Sequence, residues 1–227
     1  MDFRRRLDEA LDDSSRYCYP GTDVLKNNLG ITNQEELTIA ERRITTAELA
    51  ALQLKPVPRP NKLFTPEYYF SLHKTIFGKI YPFAGQTRNE NIMKGNTPFC
   101  RPEFIYGCLT DNMKIFSKRM VDLETRDDIT TWLADFYGEL NIIHPFREGN
   151  GRVAREYLRE CVECLDRYLG FNYELDFSNV SEETSKSFMR ASIISATTAN
   201  NEPLKDFFDS RLIEKQVKQE KGKINKK

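Results

Sequence analysis

Residues 144–155 read HPFREGNGRVAR, and this stretch contains the strongest indications of fold and function in the chain. Pro145 disfavours helical conformation at His144, so a helix that precedes the stretch is expected to end there. The glycines on both sides of Asn150 allow consecutive backbone amides to turn inward. The helix that follows points the positive end of its dipole at the same place. The stretch therefore predicts a loop between two helices that binds an anion, and phosphate is the expected anion.

Four side chains of this stretch suit phosphoryl or nucleotidyl transfer. His144 can accept a proton from an attacking hydroxyl group. Arg152 and Arg155 lie three residues apart on one helical face, so both guanidinium groups can bind phosphate oxygens. Glu148 places a carboxylate where positive charge accumulates, which favours a Mg²⁺ ion between it and the phosphates. Each residue alone also suits a glycine-rich helical hairpin without a ligand, but their combination favours a transfer site.

Apolar residues recur at three- and four-residue steps along almost the whole chain, which predicts an all-α fold. The stripes of these residues run through positions 35–52, 65–77, 102–116, 129–140, 158–169, 188–193 and 204–212. Thr32, with Glu35 three residues later, has the spacing of a capping box and is expected to begin the first helix. The stretch 86–100 lacks such a stripe, and Gly95 can adopt the positive φ of a tight turn. A β-hairpin is therefore expected there.

Three parts of the chain differ in composition. Residues 55–60 read KPVPRP, a stiff connector, so residues 1–60 are expected to form an N-terminal helical region before the main body. Residues 61–210 are expected to form the helical core, which contains the hairpin and the stretch quoted above. Residues 211–227 are rich in lysine, and a basic, disordered tail is expected there.

The balance of charge excludes long-range electrostatic attraction as a basis for binding nucleic acid or an anionic membrane. The 227 residues include 34 basic and 34 acidic side chains, and the pI is about 6.8. No specific nucleic-acid partner and no membrane partner is therefore expected. No apolar stretch reaches the length of a membrane-spanning helix, and the N-terminus lacks the apolar segment of a secretory signal. A cytoplasmic protein is expected.

Five cysteines at irregular spacing do not form the pattern of a disulfide framework. Cys161 and Cys164 form a Cys-x-x-Cys pair within a helical apolar stripe, so packing is favoured over a redox or metal-binding role. His73 lies on a similar apolar stripe and is expected to be structural.

The stretch 144–155 resembles the signature of the Fic family, HxFx(D/E)GNGRxxR, and matches it at every fixed position. Residues 17–30, YCYPGTDVLKNNLG, and residues 81–85, YPFAG, resemble segments of many bacterial Fic proteins. The resemblance covers most of 17–210, and the chain is identified as a member of the bacterial Fic (Fido-domain) family. It implies an all-helical Fic core in which the hairpin 86–100 forms a flap over the active site.

The resemblance also implies an activity, namely that of a protein adenylyltransferase, which transfers AMP from ATP to a hydroxyl group of an unknown target protein and releases pyrophosphate. It implies that His144 is the general base, that Glu148 binds a Mg²⁺ cofactor and that Phe146 packs inward to fix the loop. The residues implied to bind ATP or its phosphates are Arg147, Gly149, Asn150, Gly151, Arg152, Arg155, Lys94 and Gly95.

Other activities stay open, because the signature specifies the phosphate chemistry more firmly than the base of the nucleotide. One alternative is a Fic protein that uses another nucleotide or phosphate donor, or that removes AMP. A second alternative is an interaction module that binds nucleotide without turnover. The presence of both His144 and Glu148 disfavours this second alternative.

Restraint of the activity is a further expectation from the resemblance. Many Fic proteins carry, or receive from a small antitoxin-like partner, a helix with the motif (S/T)xxxE(G/N), whose glutamate pairs with the second arginine of the signature, here Arg155. Glu36, four residues after Thr32, and Glu202, four residues after Thr198, have this spacing but lack the final Gly or Asn. Both are candidate inhibitory residues, and a separate partner or no restraint is the alternative.

Overall fold

Helices make up most of the structure, a computed structural model that describes residues 15–94 (at Lys94 the backbone alone), 97–178 and 180–215. The helices are α1 (Gln34–Gln53), α2 (Pro60–Leu63), α3 (Pro66–Phe77), α4 (Ile105–Arg119), α5 (Arg126–Ile143), α6 (Asn150–Leu169), α7 (Glu182–Thr198) and α8 (Glu202–Asp209). Short 3₁₀ turns precede and follow α4. The predicted all-α fold with a small hairpin is confirmed. None of the described helices is both long and apolar enough to cross a membrane.

Helix α1 is capped by Asn33 rather than by the predicted Thr32. The side-chain oxygen of Asn33 accepts hydrogen bonds from the amides of Glu35 and Glu36 at 2.9 and 3.0 Å. Its backbone is extended, as the N-cap position requires. The capping-box prediction was wrong because the asparagine oxygen satisfies two amides that have no partner within the helix.

The core lies around α5 and α6, which pack against each other. Trp132 and Phe136 of α5 and Tyr157 of α6 are fully buried, and the rings of Phe136 and Tyr157 lie 5.7 Å apart. The indole nitrogen of Trp132 donates to the carbonyl of Phe116 in α4 at 3.0 Å, so its one polar group is satisfied. These rings fix the two helices, and the connecting loop 144–149 is therefore held at one end of the core.

Two short strands form the hairpin that the sequence predicts within 86–100. Strand β1 (Met93–Lys94) pairs antiparallel with β2 (Thr97–Pro98), Met93 opposite Pro98 and Lys94 opposite Thr97. This prediction is confirmed, and we call residues 86–100 the flap. Gly95, which is expected in the turn, lies outside the described residues.

A second small sheet was not predicted. Strand β3 (Tyr173–Leu175) pairs antiparallel with β4 (Leu212–Glu214). The apolar pattern predicts a helix through Leu212, but α8 ends at Asp209, and Leu212 lies buried in β4 instead. The prediction was wrong because the backbone of residues 212–214 pairs with β3, where Leu212 lies opposite Leu175, and this pairing takes the place of a helix.

Strand β4 also bears on the predicted tail. Residues 212–214 belong to the stretch 211–227 for which disorder is expected, yet their backbone pairs with β3. Residues 216–227 lie outside the described residues, as do residues 1–14 of the predicted N-terminal region.

Candidate active site

The loop between α5 and α6 opens into a cavity of about 240 Å³. Tyr137 of α5 and Phe188 of α7 are among the residues that line this cavity. The predicted site residues that line the cavity are His144, Arg147, Glu148, Gly149, Asn150, Gly151 and Arg155. One end of the core therefore brings together most of the residues that the sequence stretch 144–155 supplies.

His144 terminates α5 in the left-handed conformation, with φ 45° and ψ 61°. Its Nδ1 lies 3.1 Å from the carbonyl oxygen of Asn141. A carbonyl can only accept, so in the neutral ring Nδ1 carries the hydrogen and Nε2 carries the lone pair. The ring stacks on Phe99 of the flap, with centroids 3.8 Å apart and planes 15° apart. Both contacts orient the imidazole as a base whose Nε2 can take a proton.

The loop conformation is fixed by Asn150 and Phe146. The side-chain oxygen of Asn150 accepts from the amide of Phe146 at 2.9 Å, and its amide nitrogen donates to the Phe146 carbonyl at 2.8 Å. The Phe146 ring is fully buried and stacks on His73, with centroids 3.8 Å apart. Both polar atoms of the Asn150 side chain are thus hydrogen-bonded within the loop. The backbone amide of Asn150 is therefore the group of this residue that could bind an anion.

His73, which the sequence predicts to be structural, is buried beneath the loop. The Gly85 amide donates to Nδ1 at 2.7 Å, so Nε2 carries the hydrogen and donates to the Glu148 carbonyl at 3.0 Å. Burial lowers the pKa of His73 to about 4, which keeps the ring neutral near pH 7. The two histidines therefore adopt opposite tautomers, and His73 supports the loop from outside the cavity.

The first turn of α6 presents unpaired amides to the cavity. Gly149 precedes it with φ 83°, and a side chain there would overlap the Phe77 ring. Among the described residues, no acceptor pairs with the amides of Asn150 and Gly151. An anion in the cavity would therefore meet two amide donors and the positive end of the helix dipole.

The two arginines of the signature point to different places. Arg155 lines the cavity, its guanidinium 5.6 Å from the centre of the Phe188 ring, and burial lowers its pKa. Arg152 instead contacts α1, where its Nη2 lies 2.5 Å from a carboxylate oxygen of Glu41 and its Nη1 lies 3.4 Å from the hydroxyl of Thr45. The structure thus brings Arg155, and not the guanidinium of Arg152, to the cavity.

Glu41 is a residue that sequence reasoning missed. Its second carboxylate oxygen accepts a hydrogen bond from the hydroxyl of Tyr81, and burial and Glu41 raise the pKa of that tyrosine. No local pattern distinguishes Glu41 from the other acidic residues of α1. Its importance follows from the contact of α1 with α3 and the loop after it.

Glu148, the residue that the sequence predicts to bind Mg²⁺, lines the cavity. Its Oε1 accepts from the Gly149 amide at 2.8 Å and lies 3.4 Å from Nη2 of Arg152, and the side chain is 42% exposed. Within the described part of the chain, no three His, Cys, Asp or Glu side chains cluster as a metal site. A lone exposed carboxylate fits Mg²⁺, which usually takes one or two carboxylates and completes its shell with phosphates and water.

The remaining predicted residues, two candidate ATP ligands of the flap, Arg147 and two candidate inhibitory glutamates, have fewer described contacts that would support their predicted roles. Arg147 lines the cavity, and its buried Nε has no hydrogen-bond partner. Lys94 belongs to β1, and Gly95 lies outside the described residues. Glu36 lines an apolar surface hollow on α1, and Glu202 is the first residue of α8. Across residues 15–94, 97–178 and 180–215, neither of these carboxylates pairs with Arg155.

Arg88 is a second residue that sequence reasoning missed. It is 2% exposed, and its amide donates to the Pro145 carbonyl at 2.8 Å. Its Nε donates to the His144 carbonyl at 2.8 Å. Desolvation lowers its pKa, and its hydrogen bonds go to backbone carbonyls. An arginine outside a helix or strand is normally expected to be exposed to solvent. The sequence therefore contains no pattern that would predict the burial of Arg88.

Comparison with known proteins identifies relatives of this chain. The family model described as the Fic/DOC family matches residues 63–160. The probable protein adenylyltransferase y4lH of Sinorhizobium fredii is 34% identical over 181 residues, 78% of this chain and 85% of the relative. The probable protein adenylyltransferase Fic of Escherichia coli is 28% identical over 169 residues, 74% of this chain and 78% of the relative.

Solved structures share the fold. The BepC protein of Bartonella tribocorum, with bound AMPPNP, matches with a TM-score of 0.76 at 24% identity, over 88% of this chain and 97% of that chain. An N-terminal Fic domain from Bartonella quintana, with bound ADP, matches with a TM-score of 0.75 at 24% identity, over 88% and 95%. With the signature loop, the identity to curated relatives and this fold in agreement, the chain belongs to the Fic/DOC family.

Proposed function

We propose that this chain is a protein adenylyltransferase, which transfers AMP from ATP to a hydroxyl group of a target protein and releases pyrophosphate. The observation that carries the proposal is the imidazole of His144, held through Nδ1 by the Asn141 carbonyl at 3.1 Å in the cavity that the first amides of α6 also line. A base and an anion site therefore share one cavity. The names of the curated relatives support the same activity.

The reaction needs a proton acceptor and donors for the phosphates. The target hydroxyl oxygen attacks the α-phosphorus of ATP, and Nε2 of His144 takes the hydroxyl proton. A bond forms between this oxygen and the α-phosphorus, and the bond from the α-phosphorus to the bridging oxygen breaks, so pyrophosphate leaves. The amides of Asn150 and Gly151 and the guanidinium of Arg155 stabilise the negative charge on the phosphates.

A Mg²⁺ cofactor is part of the proposal, and Glu148 is the residue that would hold it. When bound, Mg²⁺ neutralises negative charge on the phosphates of ATP. Because a single carboxylate offers a weak site, the ion is expected to arrive with ATP. Removal of Mg²⁺ with EDTA should abolish transfer, and Glu148→Gln should raise the Mg²⁺ concentration needed for half-maximal transfer. An unchanged Mg²⁺ requirement in Glu148→Gln would remove Glu148 from the metal site.

The flap is the surface that we propose for the target protein. Phe99 of the flap touches His144, so a segment bound along the flap would pass close to the base. Strand edges bind extended segments through main-chain hydrogen bonds, which tolerate many side chains. The target therefore contributes its hydroxyl from an extended stretch of chain.

We further propose that residues 61–210 form the catalytic core and that the N-terminal region supports it through the ion pair of Glu41 with Arg152. Arg155 has no carboxylate partner among the described residues. We therefore propose that either a glutamate of a small antitoxin-like partner restrains the activity or the activity is not restrained. A cytoplasmic location, where ATP is abundant, fits the proposed substrate.

The proposal is tested by label transfer from nucleotides. The purified chain is incubated with Mg²⁺ and ATP, CTP, GTP or UTP labelled at the α-phosphate, alone and with proteins of a cell extract. Label from ATP should appear on protein, and ATP labelled at the γ-phosphate should give none. His144→Ala is the matched inactive control.

The alternatives give different results in this assay. Label from another nucleotide would identify a different donor. Release of AMP from a previously modified protein, without transfer, would identify the reverse reaction. Nucleotide binding by wild type without any label on protein would identify an interaction module and overturn the proposed transfer.

A further inference from the structure

Two cysteines face each other where the flap meets α4. Cys100 is the last residue of the flap, and Cys108 lies in the first turns of α4. Their sulfur atoms are 3.8 Å apart, and both side chains are partly exposed. The other cysteines, Cys18, Cys161 and Cys164, are buried. The Cys-x-x-Cys pair is thus packed within α6, as its helical spacing predicts, and the accessible thiol pair lies elsewhere.

The geometry of Cys100 and Cys108 permits a bond. A disulfide has sulfur atoms about 2.05 Å apart, so the gap must close by less than about 2 Å. Small rotations about the two Cα–Cβ bonds can share this movement. The intervening segment is a 3₁₀ turn, Pro102–Phe104, followed by the start of α4, which holds the two cysteines near each other.

We propose that Cys100 and Cys108 form a reversible disulfide, and that a peroxide is the oxidant. The sulfur of Cys108 attacks one oxygen of hydrogen peroxide, the O–O bond breaks, and the products are a sulfenic acid and water. The sulfur of Cys100 then attacks the Cys108 sulfur. The S–S bond forms, the S–O bond breaks, and the hydroxide leaves as water with the thiol proton. Two thiols are oxidised and one peroxide is reduced to two water molecules.

The order of the two steps follows from the contact between the thiols. The Cys100 thiol donates a hydrogen bond to the Cys108 sulfur. Burial and this bond raise the pKa of Cys100 to about 11, so Cys100 holds its proton. Cys108 therefore reacts first with peroxide, and Cys100 resolves the sulfenic acid.

A disulfide between Cys100 and Cys108 would change the surroundings of the His144 imidazole. The Cys100 amide donates to the Ile142 carbonyl at 3.0 Å, and the Cys100 carbonyl accepts from Arg88. The preceding residue, Phe99, stacks on the His144 ring. A shift of Cys100 toward α4 therefore changes the environment of His144, whether or not the proposed transfer reaction takes place.

The bond itself is tested by mass spectrometry. The fully reduced native chain is treated with a small molar excess of hydrogen peroxide, alkylated and digested. Cleavage after Lys94 and Lys114 gives one tryptic peptide with both cysteines, because Arg101 is followed by Pro102. This peptide should lose two hydrogen atoms and regain them with dithiothreitol. Chymotrypsin, which cleaves after aromatic residues between the two cysteines, should then yield two peptides joined by the bond.

Variants make the assignment specific. Cys100→Ser and Cys108→Ser should each prevent the loss of two hydrogen atoms, and Cys164→Ser should leave it unchanged. In urea, where the fold no longer selects a pair, bonds between Cys161 and Cys164 should also appear. Sulfinic acid without a cross-link, a dimer between chains or a different native pair would overturn the proposal.

The effect on His144 is tested by NMR, because the chain contains two histidines. The imidazole Cε1–H signal of His144, assigned with His144→Ala, should move on oxidation and return on reduction. The signal of His73, which stacks on Phe146, serves as the internal reference. If the bond forms and the His144 signal stays in place, the inferred link from the cysteines to the base is wrong.

Discussion

The guanidinium of Arg88 donates a hydrogen bond from Nε to the main-chain carbonyl of His144 at 2.8 Å. Its Nη1 donates to the carbonyl of Glu90 at 2.7 Å, and its Nη2 donates to the carbonyl of Cys100. Glu90 and Cys100 lie on the two legs of the flap. The planar guanidinium of Arg88 therefore connects both sides of the flap to His144, the residue that carries the base. A lysine could not make the same three hydrogen bonds, because its ammonium group lacks this planar arrangement of donors.

The first prediction concerns Arg88 as a positioning residue. Arg88→Lys should lower kcat for AMP transfer by about tenfold to a hundredfold, because a misplaced base loses near-attack geometry. The affinity for ATP should change by less than about twofold, since Arg88 contacts neither the first amides of α6 nor Arg155, which are the donors of the anion site. Arg101→Lys, an exposed arginine beside the flap, is the matched control. Equal losses of kcat and ATP affinity would point to a general loss of structure instead.

The second prediction concerns the base. His144→Ala should reduce transfer by at least about a hundredfold, the usual contribution of a general base. ATP affinity, measured by calorimetry on the same variant, should stay nearly unchanged because the amides of α6 and Arg155 remain. A parallel loss of affinity would assign His144 a structural role.

The third prediction separates two glycines of the loop. Gly149→Ala should destabilise the fold by about 2–4 kcal/mol, because Gly149 has φ 83° and a methyl group would overlap Phe77. Gly151→Ala should leave the free energy of unfolding nearly unchanged, since its added carbon would lie 3.8 Å from Nη1 of Arg155. It should weaken ATP binding by about tenfold, because the methyl group enters the anion site. Urea unfolding and calorimetry on both variants decide this, and equal destabilisation would contradict it.

The fourth prediction concerns pH. The pKa of His73 is lowered by burial to about 4 in the folded chain, against 6.5 in the unfolded chain. A depressed folded pKa gives stability that is present above pH 6.5 and is lost as the pH falls toward 4. The loss should approach about 3 kcal/mol at the acid end.

The measurement for His73 is a comparison with His73→Gln, because carboxylates also titrate in this range. Urea midpoints are recorded at pH 7.5, 6, 5 and 4 for both proteins. The free energy of unfolding should fall more steeply below pH 6.5 in wild type than in His73→Gln. Parallel curves would show that His73 does not exclude a proton in the folded state.

The fifth prediction concerns restraint from within the chain. Glu36→Gln and Glu202→Gln should leave self-modification with ATP within about twofold of wild type, because neither carboxylate pairs with Arg155 in the described structure. A rise of about tenfold in either variant, equivalent to one lost charge-assisted contact, would identify a built-in brake and contradict the structure.

The sequence predicted the loop with its base and its anion site, because these residues lie within twelve positions of each other. Local rules suffice at that range: proline ends a helix, glycine permits a positive φ, and a helix N-terminus attracts an anion. The same rules misplaced the cap of α1 and the end of α8. Asn33, next to the predicted cap Thr32, caps α1 instead. At the end of α8, the backbone of β4 pairs with β3, so the helix does not continue to Leu212.

The helical fold, the hairpin of the flap and the residues of the loop between α5 and α6 follow from local patterns in the sequence. Which arginine reaches the cavity, and which residues hold the base in place, depend instead on contacts between distant parts of the chain. Glu41 pairs with Arg152 across 111 positions, and Arg88 binds the His144 carbonyl across 56. Such contacts depend on how distant parts of the chain pack together. The sequence alone does not show whether a given arginine is buried or exposed.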